Sequence, residues 1–147
     1  MDNTIDLSVS RCEWNLSDVL LTRYHDEEWG FPLHDDQMLF EFLSLDAMQA
    51  GLSWNTILRK REHFRQAFDR FEIEVVAAYN ETKVFELLAN PGIVRNKAKI
   101  NAIIHNANRV IAIREEFGSL DAYLWGFTGG KVVQNSWQSL SEIPATS

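Results

Sequence analysis

Leu87-Leu88-Ala89-Asn90-Pro91-Gly92-Ile93-Val94-Arg95 divides two helix-forming patterns, and its reading decides the fold. Pro91 cannot extend a helix and drives Asn90 out of the helical region, so the segment reads as a tight turn. Upstream, Val84, Phe85, Leu87 and Leu88 follow helical spacing behind Thr82, the predicted cap. Downstream, Ile100, Ile103, Ile104, Ala107, Val110 and Ile111 make one apolar stripe that runs to Gly118. The same logic repeats outward. Asp35 and Asp36 precede Met38, Leu39, Phe42, Leu43, Leu45 and Met48, a pattern that stops at Gly51. Ser53 precedes Ile57, Leu58, Phe64 and Phe68; a short helix is predicted over Ile73 to Tyr79; Ser119 precedes Tyr123, Leu124 and Phe127. No stretch alternates apolar with polar residues over a strand's length, and no Asn-Gly or Asp-Gly pair marks a β-hairpin. The fold class is therefore all-α.

The chain has 147 residues, 46% hydrophobic and 24% charged, enough for one domain with a real core. Cys12 is the only cysteine, which removes any intrachain disulfide and suits a reducing compartment. No apolar run reaches membrane-spanning length, and Met1-Asp2-Asn3-Thr4-Ile5-Asp6 lacks the basic and apolar regions of a secretory leader. A cytoplasmic protein with no membrane partner is expected. Three segments are predicted: an N-terminal extension over 1–10, a helical domain over 11–127 with its hairpin near 87–96, and a polar tail over 128–147.

The net charge of −7 hides an asymmetry. Residues 1–46 hold eleven acids against Arg11 and Arg23, whereas 91–114 hold Arg95, Lys97, Lys99, Arg109 and Arg114 with no acid. A short turn ahead of a basic helix can present free backbone N–H groups and partial positive charge to one DNA phosphate. Gly92, Ile93, Arg95, Lys97 and Lys99 are the candidate DNA-binding residues, in the manner of a helix-hairpin-helix element. The same residues also fit a plain connection between two helices with a solvated face.

Five tryptophans are many for this length, and Trp14, Trp29 and Trp54 cluster in the first 54 positions with Tyr24, His25, Asp46 and Gln49. Aromatic faces beside a carboxylate can hold a flat, cationic ligand, although core packing explains any single Trp equally well. Asp46 interrupts the apolar pattern between Leu45 and Ala47; it caps, pairs, faces a cleft or reaches solvent. Cys12 and His25 have the chemistry of half a zinc site, but His34, His63 and His105 show no matching spacing. Gly-rich phosphate loops, serine nucleophile elbows and the His-Glu-x-x-His helix are absent.

Several blocks resemble the 3-methyladenine DNA glycosylase I family: Arg11-Cys12-x-Trp14, Tyr24-His25-Asp26-x-Glu28-Trp29-Gly30-x-Pro32, Gln49-Ala50-Gly51-Leu52-Ser53-Trp54, Lys60-Arg61-Glu62 and Gly92-Ile93-Val94-Arg95-Asn96-x-x-Lys99-Ile100. The match runs from Arg11 to Pro144. It implies a helix-hairpin-helix glycosylase fold and base-excision repair of alkylated duplex DNA, with free 3-methyladenine as product. By the same resemblance, Tyr24 and Trp54 sandwich the extruded base, Trp14 and Trp29 lie in or near the pocket, and Asp46 is the carboxylate that reads the base. The family's structural zinc has two N-terminal ligands, matching Cys12 and His25, and two near its C-terminus.

This sequence departs from that pattern at several points. Asp46 stands where the family has Glu, Ala47-Met48 replace a Gly and a polar residue, and Leu21 replaces an aromatic. The family's C-terminal segment, with the other two zinc ligands, has no counterpart after Ser147, so the metal half-site is expected to be unfilled and no cofactor to be needed. A monofunctional glycosylase, monomeric and acting on the bacterial nucleoid, is the expectation. The alternative is an impaired relative or fragment that binds alkylated base or DNA without turnover. A third reading makes Asp121 a catalytic acid downstream of the hairpin, although no suitable lysine accompanies it.

Overall fold

A computed structural model describes residues 11–12, 18–137 and 139–144. Seven α-helices are found among them: α1 (Val19–Glu27), α2 (Asp36–Gln49), α3 (Trp54–Ala67), α4 (Ile73–Ala77), α5 (Glu81–Ala89), α6 (Lys97–Phe117) and α7 (Leu120–Gly126). Short 3-10 turns occupy Asp69–Phe71 and Leu140–Glu142. No strand occurs among the described residues.

The caps follow the chemistry of the sequence. Asp35, Ser53 and Ser119 accept from Met38, Thr56 and Ala122 N–H at the starts of α2, α3 and α7. At α5 the predicted Thr82 cap is displaced by Asn80, whose side chain accepts from Lys83 N–H, so the helix starts one residue earlier than Thr82. Asn and Thr are both good caps, and the upstream one gives a helix two residues longer. Helix α1 was not foreseen: its apolar pattern is short, and Asp18 caps it through Leu20 N–H.

Helix α6, 21 residues long, is the axis, touching α2, α4, α5 and α7. Its stripe of Ile100, Ile103, Ala107 and Val110 joins Phe40, Leu45 and Met48 of α2 and Ile57 and Phe64 of α3 in one core. Asp69, Arg70 and Phe71 follow α3 with φ of 48°, 55° and 59°, three consecutive left-handed residues without a glycine. That reversal lays Phe71 parallel to Phe68, with centroids 5.6 Å apart. Gln37 Nε2 donating to Arg70 O and Tyr79 OH donating to Asp69 hold it in place.

One polar cluster lies inside this apolar frame. Glu41 of α2 is 6% exposed and Arg61 of α3 is 9% exposed, and the two are joined at 2.6 Å. Arg61 also binds Glu28 at the end of α1 at 2.6 Å, and Arg65 joins Glu41 at 2.9 Å. The guanidinium of Arg61 lies 4.8 Å from the centroid of Phe42. Removing one member of such a cluster leaves the others with fewer partners for a buried charge. Arg61→Met leaves Glu41 with Arg65 alone and is expected to lower unfolding free energy by about 1–3 kcal/mol. Urea titration measures it, and a loss below about 1 kcal/mol would show that solvent screens the cluster.

Candidate functional site

Helices α1, α2 and α3 each contribute to one aromatic cluster, the candidate base pocket. Tyr24 sits on α1, and Phe42 and Asp46 stand one turn apart on one face of α2. Trp54 opens α3, just past the turn in which Gly51 takes φ +78°. The Tyr24 and Trp54 rings lie 5.4 Å apart at 55°, and Tyr24 lies 6.5 Å from Phe42. Phe42 was missed in the sequence, where its four-residue spacing from Asp46 was the available signal.

Two polar groups in the pocket are unspent. Asp46 is open to solvent and has neither an ion-pair nor a hydrogen-bond partner among the described residues, and neighbouring groups that partly desolvate it raise its pKa. Trp54 Nε1–H is buried without an acceptor in bonding geometry. The charge of Asp46 reaches Tyr24: the Tyr24 hydroxyl is pushed up first by burial, then by Asp46 and Glu28, with Arg61 and Trp54 opposing.

The expected sandwich is closed in this structure. A flat ring with normal contacts on both faces needs about 7 Å between the flanking planes, more than the 5.4 Å found. Tyr24 borders a cavity of about 260 Å³ with Leu58 and Arg61 on its other side.

Other predicted residues are placed differently. Trp14 lies outside the described residues. Trp29 is 50% exposed, and its ring stacks on His25 at 5.4 Å. His25 Nδ1 in turn meets Asp26 at 2.9 Å, and Arg11 holds the same carboxylate. Arg11 is the leading cause, ahead of His25, of a lowered Asp26 pKa. Cys12 is an exposed free thiol. Among the described residues no group of three or more His, Cys, Asp or Glu side chains could hold a metal. Among the described residues Cys12 and His25 offer two donors, fewer than the four of a closed zinc site.

Asp121 meets His34 Nδ1 at 2.8 Å, and its own N–H is held by Asp36 at the start of α2. Ten residues separate Asp36 from Asp46, so Asp121 sits about 15 Å along α2 from the aromatic pocket. The structure does not bring it to that pocket.

A short turn, Asn90 to Asn96, joins α5 to α6. Gly92 N–H is spent on Asn90 Oδ1 at 2.8 Å, and Ile93 is a core residue at 3% exposure. A Cβ on Gly92 would meet His63 Cδ2 at 2.9 Å, which explains the glycine. The N–H groups of Val94, Arg95, Lys97 and Ala98 make no protein hydrogen bond, because Asn96 caps α6 through Lys99 N–H. Arg95 and Lys97 are exposed beside them. Lys60 Nζ donates to Pro91 O and Gly92 O, both at 3.1 Å, anchoring the turn to α3. Lys99, expected to face phosphate, donates instead to Met48 O at 2.8 Å and Ala50 O at 2.6 Å.

An all-helical frame with free N–H groups and exposed cations at one turn, and an aromatic cluster with a free carboxylate at another, fits the class of helical DNA N-glycosylases. The match to solved structures agrees: a crystal structure of 3-methyladenine DNA glycosylase I superposes with a TM-score of 0.88 at 42% identity, covering 92% of this chain and 74% of that one. The family model described as methyladenine glycosylase matches residues 14–147, and the chain belongs to that family. It is 39% identical to DNA-3-methyladenine glycosylase 1 of Escherichia coli, over 94% of this chain and 74% of the relative. It is 36% identical to DNA-3-methyladenine glycosylase of Haemophilus influenzae, over 92% and 73%. No helix among the described residues is long and apolar enough to cross a membrane.

The raised pKa of Asp46 has a stability consequence. Between the ordinary carboxylate pKa and its higher folded value, the native state binds more protons than the unfolded state, so stability falls as pH rises through that window. Asp46→Asn removes this penalty. The variant is expected to melt no lower than the parent at pH 7 and to lose its advantage at pH 3; a lower Tm at pH 7 would show that Asp46 has a stabilising partner.

Proposed function

We propose that this chain hydrolyses the N-glycosidic bond of 3-methyladenine in alkylated duplex DNA, working as a monomer in the bacterial cytoplasm. The observation that carries the reading is the unpaired carboxylate of Asp46 beside the Tyr24–Trp54 pair, in a member of this family. The relatives support it: one solved structure, 38% identical with a TM-score of 0.79, concerns 3-methyladenine recognition by the Staphylococcus aureus enzyme.

The chemistry follows from the substrate. A duplex hides the glycosidic bond, so the nucleotide must leave the stack, and a base that pairs poorly costs least to extrude. The free N–H groups near Arg95 and Lys97 hold the backbone without reading sequence. N3-methyladenine is cationic while attached to the sugar and is already a good leaving group. Trp54 and Tyr24 stack on the cation, Asp46 accepts from its exocyclic amine, and water attacks the oxocarbenium-like sugar. Such a departure needs neither a strong general acid nor a Lewis acid.

Chromatography of bases released from N-methylated duplex DNA tests the reading. Free 3-methyladenine is expected from the parent chain, at a rate about 100-fold lower in Asp46→Asn. Trp54→Ala is expected to weaken binding of the free base by about 1–3 kcal/mol. Asp121→Asn and prior chelation are expected to leave release unchanged. No release, with tryptophan fluorescence still quenched by the free base, would replace the enzyme by a binding relative.

A further inference from the structure

Lys99 is the cationic side chain of the basic helix that reaches the C-terminal end of α2, just past Asp46. Its backbone N–H belongs to the cap of α6, one residue beyond Ala98, the last of the free donors. Its ammonium crosses to the last turn of α2, where Met48 O and Ala50 O receive it at 2.8 and 2.6 Å. Those carbonyls are among the unsatisfied acceptors that every helix leaves at its C-terminus, where a cation also complements the dipole. The turn so held is short: Leu52 N–H returns to Gln49 O at 2.6 Å, and Gln49 Nε2 donates to Leu52 O at 2.7 Å. Asp46 lies one half-turn before the grip, and Trp54 lies four residues after Ala50.

We propose that Lys99 is a positioning residue that ties the hairpin helix to the α2–α3 turn and thereby sets the spacing of Asp46 and Trp54, rather than a phosphate contact. This rests on the reading of the pocket as a base site. Lys60 acts in the opposite direction, from α3 onto Pro91 O and Gly92 O. The two lysines thus form reciprocal links between the element that meets the backbone and the element that meets the base. Displacement of a catalytic group by even an ångström is enough to lose about 100-fold in rate, so a link of this kind is worth more than its own hydrogen bonds.

Lys99→Met keeps the aliphatic stem and removes the donors. Three readouts separate the roles: affinity for free 3-methyladenine by tryptophan quenching, the slope of log K against log salt on undamaged duplex DNA, and the indole N–H resonance of Trp54. A positioning role predicts base affinity down about tenfold or more, an unchanged salt slope and a shifted Trp54 resonance. A phosphate contact predicts a slope shallower by about one with base affinity intact, as expected for Arg95→Gln, and overturns the proposal. A lower Tm with affinity and resonance unmoved also overturns it, as a purely structural role. If the parent chain itself binds no base, the functional reading fails, and the Trp54 resonance alone still decides the link. Should Lys99→Met not fold, Lys99→Gln, which keeps a donor, carries the same readouts.

Discussion

The ion cluster centred on Arg61 fixes where three helices can stand relative to one another. Apolar packing is non-directional and tolerates sliding, whereas a guanidinium shared between Glu28 and Glu41 admits one geometry. Arg61 therefore specifies the register of α1, α2 and α3 more than it stabilises them, since burying these charges costs much of what the pairing returns. Tyr24, Phe42, Asp46 and Trp54 ride on those helices, so the pocket inherits its shape from the cluster. Phe42 shows the link directly, lying under Arg61 on one side and near Tyr24 on the other.

The second constraint joins pocket to hairpin. An acidic chain can engage a polyanion only where a local face escapes the mean charge, and the hairpin end of α6 is that face. The structure divides the basic residues of this region by task. Arg95 and Lys97 remain exposed next to free N–H groups, while Lys60 and Lys99 satisfy carbonyls inside the protein. Charge counting alone treats these four residues alike. Their separation depends on which helix lies within reach of each long stem, and that is a tertiary fact.

Most of the fold was legible because helix periodicity and caps are local. The apolar stripe of α6, the stop at Asn90-Pro91-Gly92, and the caps at Asp35, Ser53 and Ser119 all depend on neighbours within four residues. What escaped was non-local. Helix α1 is short and draws its stability from α3, to which Arg59 ties the Asp18 cap. The left-handed run at Asp69–Phe71 carries no glycine to announce it. In the site, Tyr24, Trp54 and Asp46 came from the resemblance and are brought together by the fold. Trp29 turns instead to His25, and Gly92 and Ile93 serve the hairpin's own structure. The Arg61 cluster did leave a trace: Glu41 lies on the stripe of Leu45 and Met48, and Arg61 lies on that of Ile57 and Phe64. Two opposite charges on two facing apolar stripes read as a buried pair.

Helix α2 makes the functional argument in miniature, because it carries three carboxylates at five-residue intervals with three different fates. Asp36 receives the N–H groups of Leu120 and Asp121 and the guanidinium of Arg114. Glu41 is enclosed by Arg61 and Arg65. Asp46 has no counterion among the described residues, though it is shielded enough for its pKa to rise. The first two are explained by the fold they hold together. The third stays open to solvent and has no partner in the described structure. A cationic base stacked on Trp54 would supply the missing charge, and the site's attraction for that base is the same desolvation that raises the pKa of Asp46.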